Sequence, residues 1–138
     1  MARFSLLASV SGCVTRLEPA SGPTAPGEWN ASPVVRTAYG LVEGASDAQE
    51  TWSWKGIPYA APPVGELRWK APRPPEPWEG VREANHFGSS SAQVLPVIGQ
   101  FGSEDCLYLN VWRPKSAERT LPVYVYVHGG GNTIGSSS

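Results

Sequence analysis

The sequence predicts an α/β fold, represented here by strands and loops more than by helices, and three observations carry that expectation. The run Val123-Tyr124-Val125-Tyr126-Val127 puts valines on one face and tyrosines on the other. A strand that is apolar on both faces belongs in the middle of a sheet covered by helices on both sides. Leu107 to Trp112 alternates, with Leu107, Leu109 and Val111 on one face and Tyr108, Asn110 and Trp112 on the other, which is the period of a strand. Glycine and proline supply 15 and 14 of the 138 residues. That is too many breakers for a helical protein, and no helical apolar period runs beyond about two turns.

Residues 1–32 read as a leader. Met1-Ala2-Arg3 gives one positive charge, Phe4 to Val10 is a short apolar run, and Val10-Ser11-Gly12-Cys13 places a cysteine after small residues. This resembles a lipoprotein signal, with Cys13 as the lipidation candidate and the Pro/Gly/Ala/Ser-rich stretch from Thr15 to Glu28 as a tether. Export to a secreted, periplasmic or lipid-anchored location is the expectation, with a cytoplasmic location as the alternative. Asn30-Ala31-Ser32 matches a glycosylation sequon but is followed by Pro33, and is read as chance.

Residues 33–138 read as part of one domain. Val34-Val35 and Leu41-Val42, joined through Tyr39-Gly40, predict a small hairpin. Thr51-Trp52-Ser53-Trp54 predicts another strand. Gly56 to Gly65 cannot be helical, because each proline removes an N–H and biases its predecessor towards extended backbone. With Pro72 to Pro77 and the neighbouring tryptophans, it predicts a loop lying flat on a larger body. Arg113-Pro114 should end the Leu107 strand. Lys115 to Thr120 is a polar connection short enough for a hairpin, so the Leu107 and Val123 strands are expected to be antiparallel neighbours.

The Val123 strand runs into His128-Gly129-Gly130-Gly131. Consecutive glycines permit positive φ, and their unobstructed N–H groups can converge on one developing negative charge. His-Gly-Gly-Gly after a strand is the oxyanion-loop pattern of lipases and esterases with the α/β-hydrolase fold. Lys plus Arg at 11 against Asp plus Glu at 12 leaves a net charge of −1. With no basic block, nucleic acid and an anionic membrane surface are excluded as main partners, and a small molecule or a protein is expected. No apolar run is long enough to span a bilayer.

A series of blocks in fixed order carries a family resemblance. They are Gly56-Ile57-Pro58-Tyr59-Ala60, Pro62-Pro63-Val64-Gly65, Leu67-Arg68-Trp69, Pro77-Trp78-Glu79-Gly80-Val81, Phe87-Gly88, Ser103-Glu104-Asp105-Cys106-Leu107-Tyr108-Leu109-Asn110-Val111 and His128-Gly129-Gly130-Gly131. From Pro33 to Ser138 the chain resembles the N-terminal part of a type-B carboxylesterase, the family of bacterial carboxylesterases, p-nitrobenzyl esterases and cholinesterases. The resemblance implies an α/β-hydrolase fold and hydrolysis of a small-molecule carboxylic ester through an acyl-enzyme, without a cofactor or metal. It implies that the Gly130 and Gly131 N–H groups hold the oxyanion, with His128 and Gly129 supporting the loop. It also implies a structural ion pair between Arg68 and Glu104; breaking one side of such a pair, if buried, would cost about 3–5 kcal/mol.

The departures from that pattern matter equally. No Gly-x-Ser-x-Gly elbow occurs in the 138 residues. Gly88-Ser89-Ser90-Ser91-Ala92 comes nearest but has no strand before it and no helical pattern after it. His86 reads as a surface residue, and neither histidine reads as the catalytic base. The chain is therefore expected to be an incomplete piece of the domain, inactive and unstable by itself. Alternatives are a catalytically inactive cholinesterase-like binding module, a truncated non-functional product, and a free-standing exported lipoprotein. Ala92 stands near where the family places the partner of Cys106, so Cys106 is expected to be a free, buried thiol. No tryptophan lies between Gln93 and Ser103, which argues against a choline ester. Asn132 replaces an aromatic residue that often follows the glycines, which implies a more polar or open acyl pocket.

Overall fold

A computed structural model describes residues 29–138; the leader and Cys13 lie outside the described residues. Eight strands and one 3₁₀ turn are present among them: β1 (Val34–Arg36), β2 (Leu41–Glu43), β3 (Ala45–Asp47), β4 (Thr51–Pro58), the turn Gly65–Leu67, β5 (Val81–Glu83), β6 (Gln93–Leu95), β7 (Gly99–Phe101) and β8 (Tyr108–Pro114). No helix among the described residues is long and apolar enough to cross a membrane.

The expected hairpin is β1–β2, with Val35 opposite Val42 and the Thr37 N–H donating to the Gly40 carbonyl at 2.8 Å. Beyond the proline-rich segment, β5 adds to β2 in parallel, Leu41 opposite Val81, giving the order β1-β2-β5. At Gly44 the chain leaves this sheet and continues as β3 in a second, antiparallel sheet of order β3-β4-β8. The crossing is tight: a Cβ on Gly44 would lie 2.5 Å from the Ser53 carbonyl oxygen and 2.8 Å from the Trp54 indole. β6 and β7 form a separate hairpin.

The core is small and built on tryptophan. Val42, Trp54 and Ala84 are buried, with Trp29, Val35, Trp52, Ile57 and Trp78 packed around them. An indole carries a polar N–H that must find an acceptor when buried. Trp54 Nε1 donates to the Pro33 carbonyl (2.7 Å), Trp78 Nε1 to Leu41 (2.8 Å) and Trp29 Nε1 to Ser116 (2.8 Å). The proline-rich segment lies on the body through Trp78 and the buried Pro75, while Trp69 is 90% exposed.

The Val123–Val127 expectation is corrected. Those five residues form no strand, do not pair with β8 and are 69–87% exposed. The connection after β8 is held back on its own side, since Lys115 N–H donates to the Glu50 carbonyl and the Arg113 guanidinium to the Glu118 carbonyl. A strand that is apolar on both faces gains its stability from layers packed over both of them, and no described residues supply those layers. Ladder hydrogen bonds alone do not offset the entropy of ordering the segment.

Candidate active site

The loop after Val127 curls tightly. Gly130, Gly131 and Asn132 all have positive φ, at 125°, 62° and 60°. Asparagine is among the few side chains that take this region readily, so Asn132 extends the glycine run rather than breaking it. The Gly130 carbonyl accepts from the Thr133 N–H (3.1 Å), the Ile134 N–H (3.2 Å) and the Thr133 hydroxyl (3.0 Å). A side chain at position 130 would overlap the Ile134 carbonyl oxygen, so only glycine closes this turn. His128 Nδ1 lies 2.8 Å from the Gly129 carbonyl and donates to it when protonated. Among the described residues the Gly130 and Gly131 N–H groups have no backbone acceptor. The loop faces Ser91 and Ala92 across a cleft of about 320 Å³, to which Asn132 also contributes.

Two side chains that sequence reasoning passed over hold the loop's far end. Gln93, at the start of β6 and buried, accepts from the Gly135 N–H through Oε1 (2.8 Å). Its Nε2 donates to the Gly135 carbonyl (3.0 Å) and to the Ser91 carbonyl (3.2 Å). Asn110 of β8 accepts from the Gly56 N–H through Oδ1 (2.9 Å) and donates through Nδ2 to the Ser137 hydroxyl (3.0 Å) and carbonyl (3.3 Å). The alternation of β8 gave the face of Asn110 but not its partners. For Gln93 the only signal was a polar residue opening a short apolar run. Between this tail and the sheet lies a second cleft of about 400 Å³, with Tyr59, Cys106, Tyr108, Tyr126 and His128 on its walls.

Around the clefts the remaining expectations divide. Arg68 Nη2 lies 3.2 Å from Glu104 Oε1, so the pair forms, but both side chains are about half exposed. That corrects the buried-pair energy: water screens both charges, and exposed pairs contribute under about 1 kcal/mol. Cys106 is free, and half-buried rather than buried, because it lies on the wall of the open cleft. Burial first, and then the neighbouring Glu104 and Asp105 carboxylates, push its thiol pKa up, away from the reactive thiolate. Burial and a 2.8 Å hydrogen bond to Asp105 likewise raise the Tyr108 phenol. His86 is exposed, as expected. Gly88 to Ala92 is loop leading into the β6–β7 hairpin, with no helix after it, which is not the geometry of a nucleophile elbow. The arrangement offers backbone donors to a negative oxygen atom, and among the described residues no serine is hydrogen-bonded to a histidine.

Comparison with known proteins agrees with this architecture. The model of the carboxylesterase family matches residues 31–138. The para-nitrobenzyl esterase of Bacillus subtilis (strain 168) is 44% identical over 111 residues, covering 76% of this chain and 22% of the relative. Gut esterase 1 of Caenorhabditis briggsae is 48% identical over 112 residues, covering 78% and 20%. Among solved structures, a thermophilic PNB esterase superposes with a TM-score of 0.68 at 43% identity, covering 76% of this chain and 23% of that one. A Geobacillus stearothermophilus carboxylesterase gives 0.53 at 49% identity, covering 59% and 16%. The chain thus spans about a fifth of the length of these curated relatives. The strands described above are part of an α/β-hydrolase fold, and the chain belongs to the carboxylesterase family.

Proposed function

We propose that this chain supplies the oxyanion-hole loop of a serine carboxylesterase that hydrolyses small-molecule carboxylic esters. The observation that carries the reading is the His128–Ile134 loop, where the Gly130 carbonyl is consumed inside the turn while the Gly130 and Gly131 N–H groups keep no backbone acceptor. When a serine alkoxide attacks an ester carbonyl, the carbonyl oxygen takes up the negative charge of the tetrahedral intermediate. Donors already aimed at that position stabilise it without reorganising, each by about 3–4 kcal/mol. Collapse of the intermediate expels the alcohol and leaves an acyl-enzyme, which water then hydrolyses.

The nucleophile, base and acid come from sequence other than these 138 residues. Neither histidine here fills the role: His86 is exposed, and His128 turns its Nδ1 to its own loop. One relative is by name a para-nitrobenzyl esterase, and hydrolysis of an ester by a serine nucleophile needs no cofactor. The absence of tryptophan from Gln93 to Ser103 speaks against a quaternary ammonium ester. Export through the leader, with a lipid on Cys13, is the accompanying proposal for location.

The complete gene product is expected to turn over p-nitrophenyl esters and to lose that activity on stoichiometric labelling by a fluorophosphonate. The 138-residue chain alone should do neither. Turnover by the isolated chain, or an unlabelled and inactive complete product, would overturn the reading, the latter in favour of a binding module.

A further inference from the structure

We infer that Gln93 is a positioning residue for the glycine loop, an inference that rests on the reading of Gly130 and Gly131 as oxyanion donors. Gln93 is 7% exposed, and among the described residues its side-chain hydrogen bonds all go to backbone. Its amide grips both polar groups of one residue, Gly135, through N–H···Oε1 at 2.8 Å and Nε2–H···O at 3.0 Å. A third bond, to the Ser91 carbonyl, fixes the amide from the opposite wall of the cleft. Among the side chains that could stand here, an amide alone offers an acceptor and two donors in one plane.

Gly135 in turn is where the loop closes on itself. A Cβ there would lie 2.6 Å from the Gly129 carbonyl oxygen and 2.7 Å from His128 Nδ1, so the first and last residues of the loop are packed face to face. Between them the turn is fastened by the bonds to the Gly130 carbonyl and by His128 Nδ1 against the Gly129 carbonyl. The loop is otherwise exposed, with Gly130, Gly131 and Asn132 all open to solvent. Its orientation relative to the body is therefore set where its far end is held, by Asn110 at Ser137 and, nearer the glycines, by the buried Gln93 at Gly135. Losing that grip releases the direction of the Gly130 and Gly131 N–H groups, while the wall opposite loses a single bond, at the Ser91 carbonyl, which the Ser91–Ser103 bridge still holds in place.

A donor that acts only on the developing oxyanion affects kcat and leaves substrate binding alone. In the complete gene product, Gln93→Met, close in shape but without either bond to Gly135, is expected to lower kcat on a p-nitrophenyl ester by about tenfold to a hundredfold, with KM held within about twofold. Gln93→Glu keeps the acceptor for the Gly135 N–H but sets a carboxylate against the Gly135 carbonyl, and should show the same split. It stands in if the methionine variant does not fold, which a thermal melt would reveal. Variants that melt like wild type and keep its kcat, or that raise KM alone, would overturn the inference while leaving the esterase reading intact. A wild-type product with no esterase activity would overturn both.

Discussion

Single residues divide here by whether water reaches them. Arg68 and Glu104 were legible as a pair only through the family resemblance of their motifs, and the sequence carried no sign of how exposed they would be. Their half-exposed geometry makes Arg68→Ala a mild change, expected to cost less than about 1 kcal/mol in denaturant unfolding of the complete gene product. A loss near the buried-pair range of about 3–5 kcal/mol would mean that further chain covers the pair. Asp47 shows a different use of charge. The Lys55 ammonium at 3.0 Å, followed by the Ala48 N–H, holds its carboxyl well below the usual range, and Trp112 Nε1 donates to it as well. Nothing in the spacing of Asp47, Lys55 and Trp112 announces this cluster, because strand pairing brings it together. Gln93 and Asn110 were missed for the same reason: a side-chain amide declares what it can bond to, but not which backbone the fold will present to it.

At the level of elements, local chemistry was readable and distant pairing was not. The β1–β2 hairpin, the Trp52-containing β4 and the alternation of β8 follow from short patterns. The parallel addition of β5 to β2 spans the whole proline-rich segment, and no periodicity encodes a partner at that distance. The β4–β8 pairing contains a bulge that the sequence hid inside a proline motif. Trp54 pairs with Val111 and Ile57 with Leu109, so Lys55 and Gly56 together face Asn110. Gly56 has φ of 68°, and a Cβ on it would sit 2.6 Å from the His86 carbonyl oxygen. Gly56→Ala therefore combines backbone strain with a backbone clash and should cost about 1–3 kcal/mol. It should also free Asn110, whose Oδ1 accepts from the Gly56 N–H. An unchanged unfolding midpoint would show that the bulge relaxes at no cost.

For the whole molecule, the fold class was legible because the most informative segment, Val123 to Val127, is written for a buried sheet. It is also the segment furthest from that state in this chain, with every residue exposed. The two facts agree once the share of the relatives' length is considered: about a fifth is present, and the main buried cluster among the described residues is Val42, Trp54 and Ala84 with their partly buried neighbours. The loop that follows the strand nevertheless closes locally, through glycines that need no covering layer. Folding and function are thus written at different ranges: the turn needs a few residues, the strand needs a domain. That separation lets one substitution test the central claim. Kinetics of Gly130→Ala in the complete gene product, whose added methyl would overlap the Ile134 carbonyl oxygen and force the turn open, should show kcat on a p-nitrophenyl ester lowered by about a hundredfold or more with KM little changed. A folded Gly130→Ala variant with the kcat of wild type would contradict the oxyanion role of this loop.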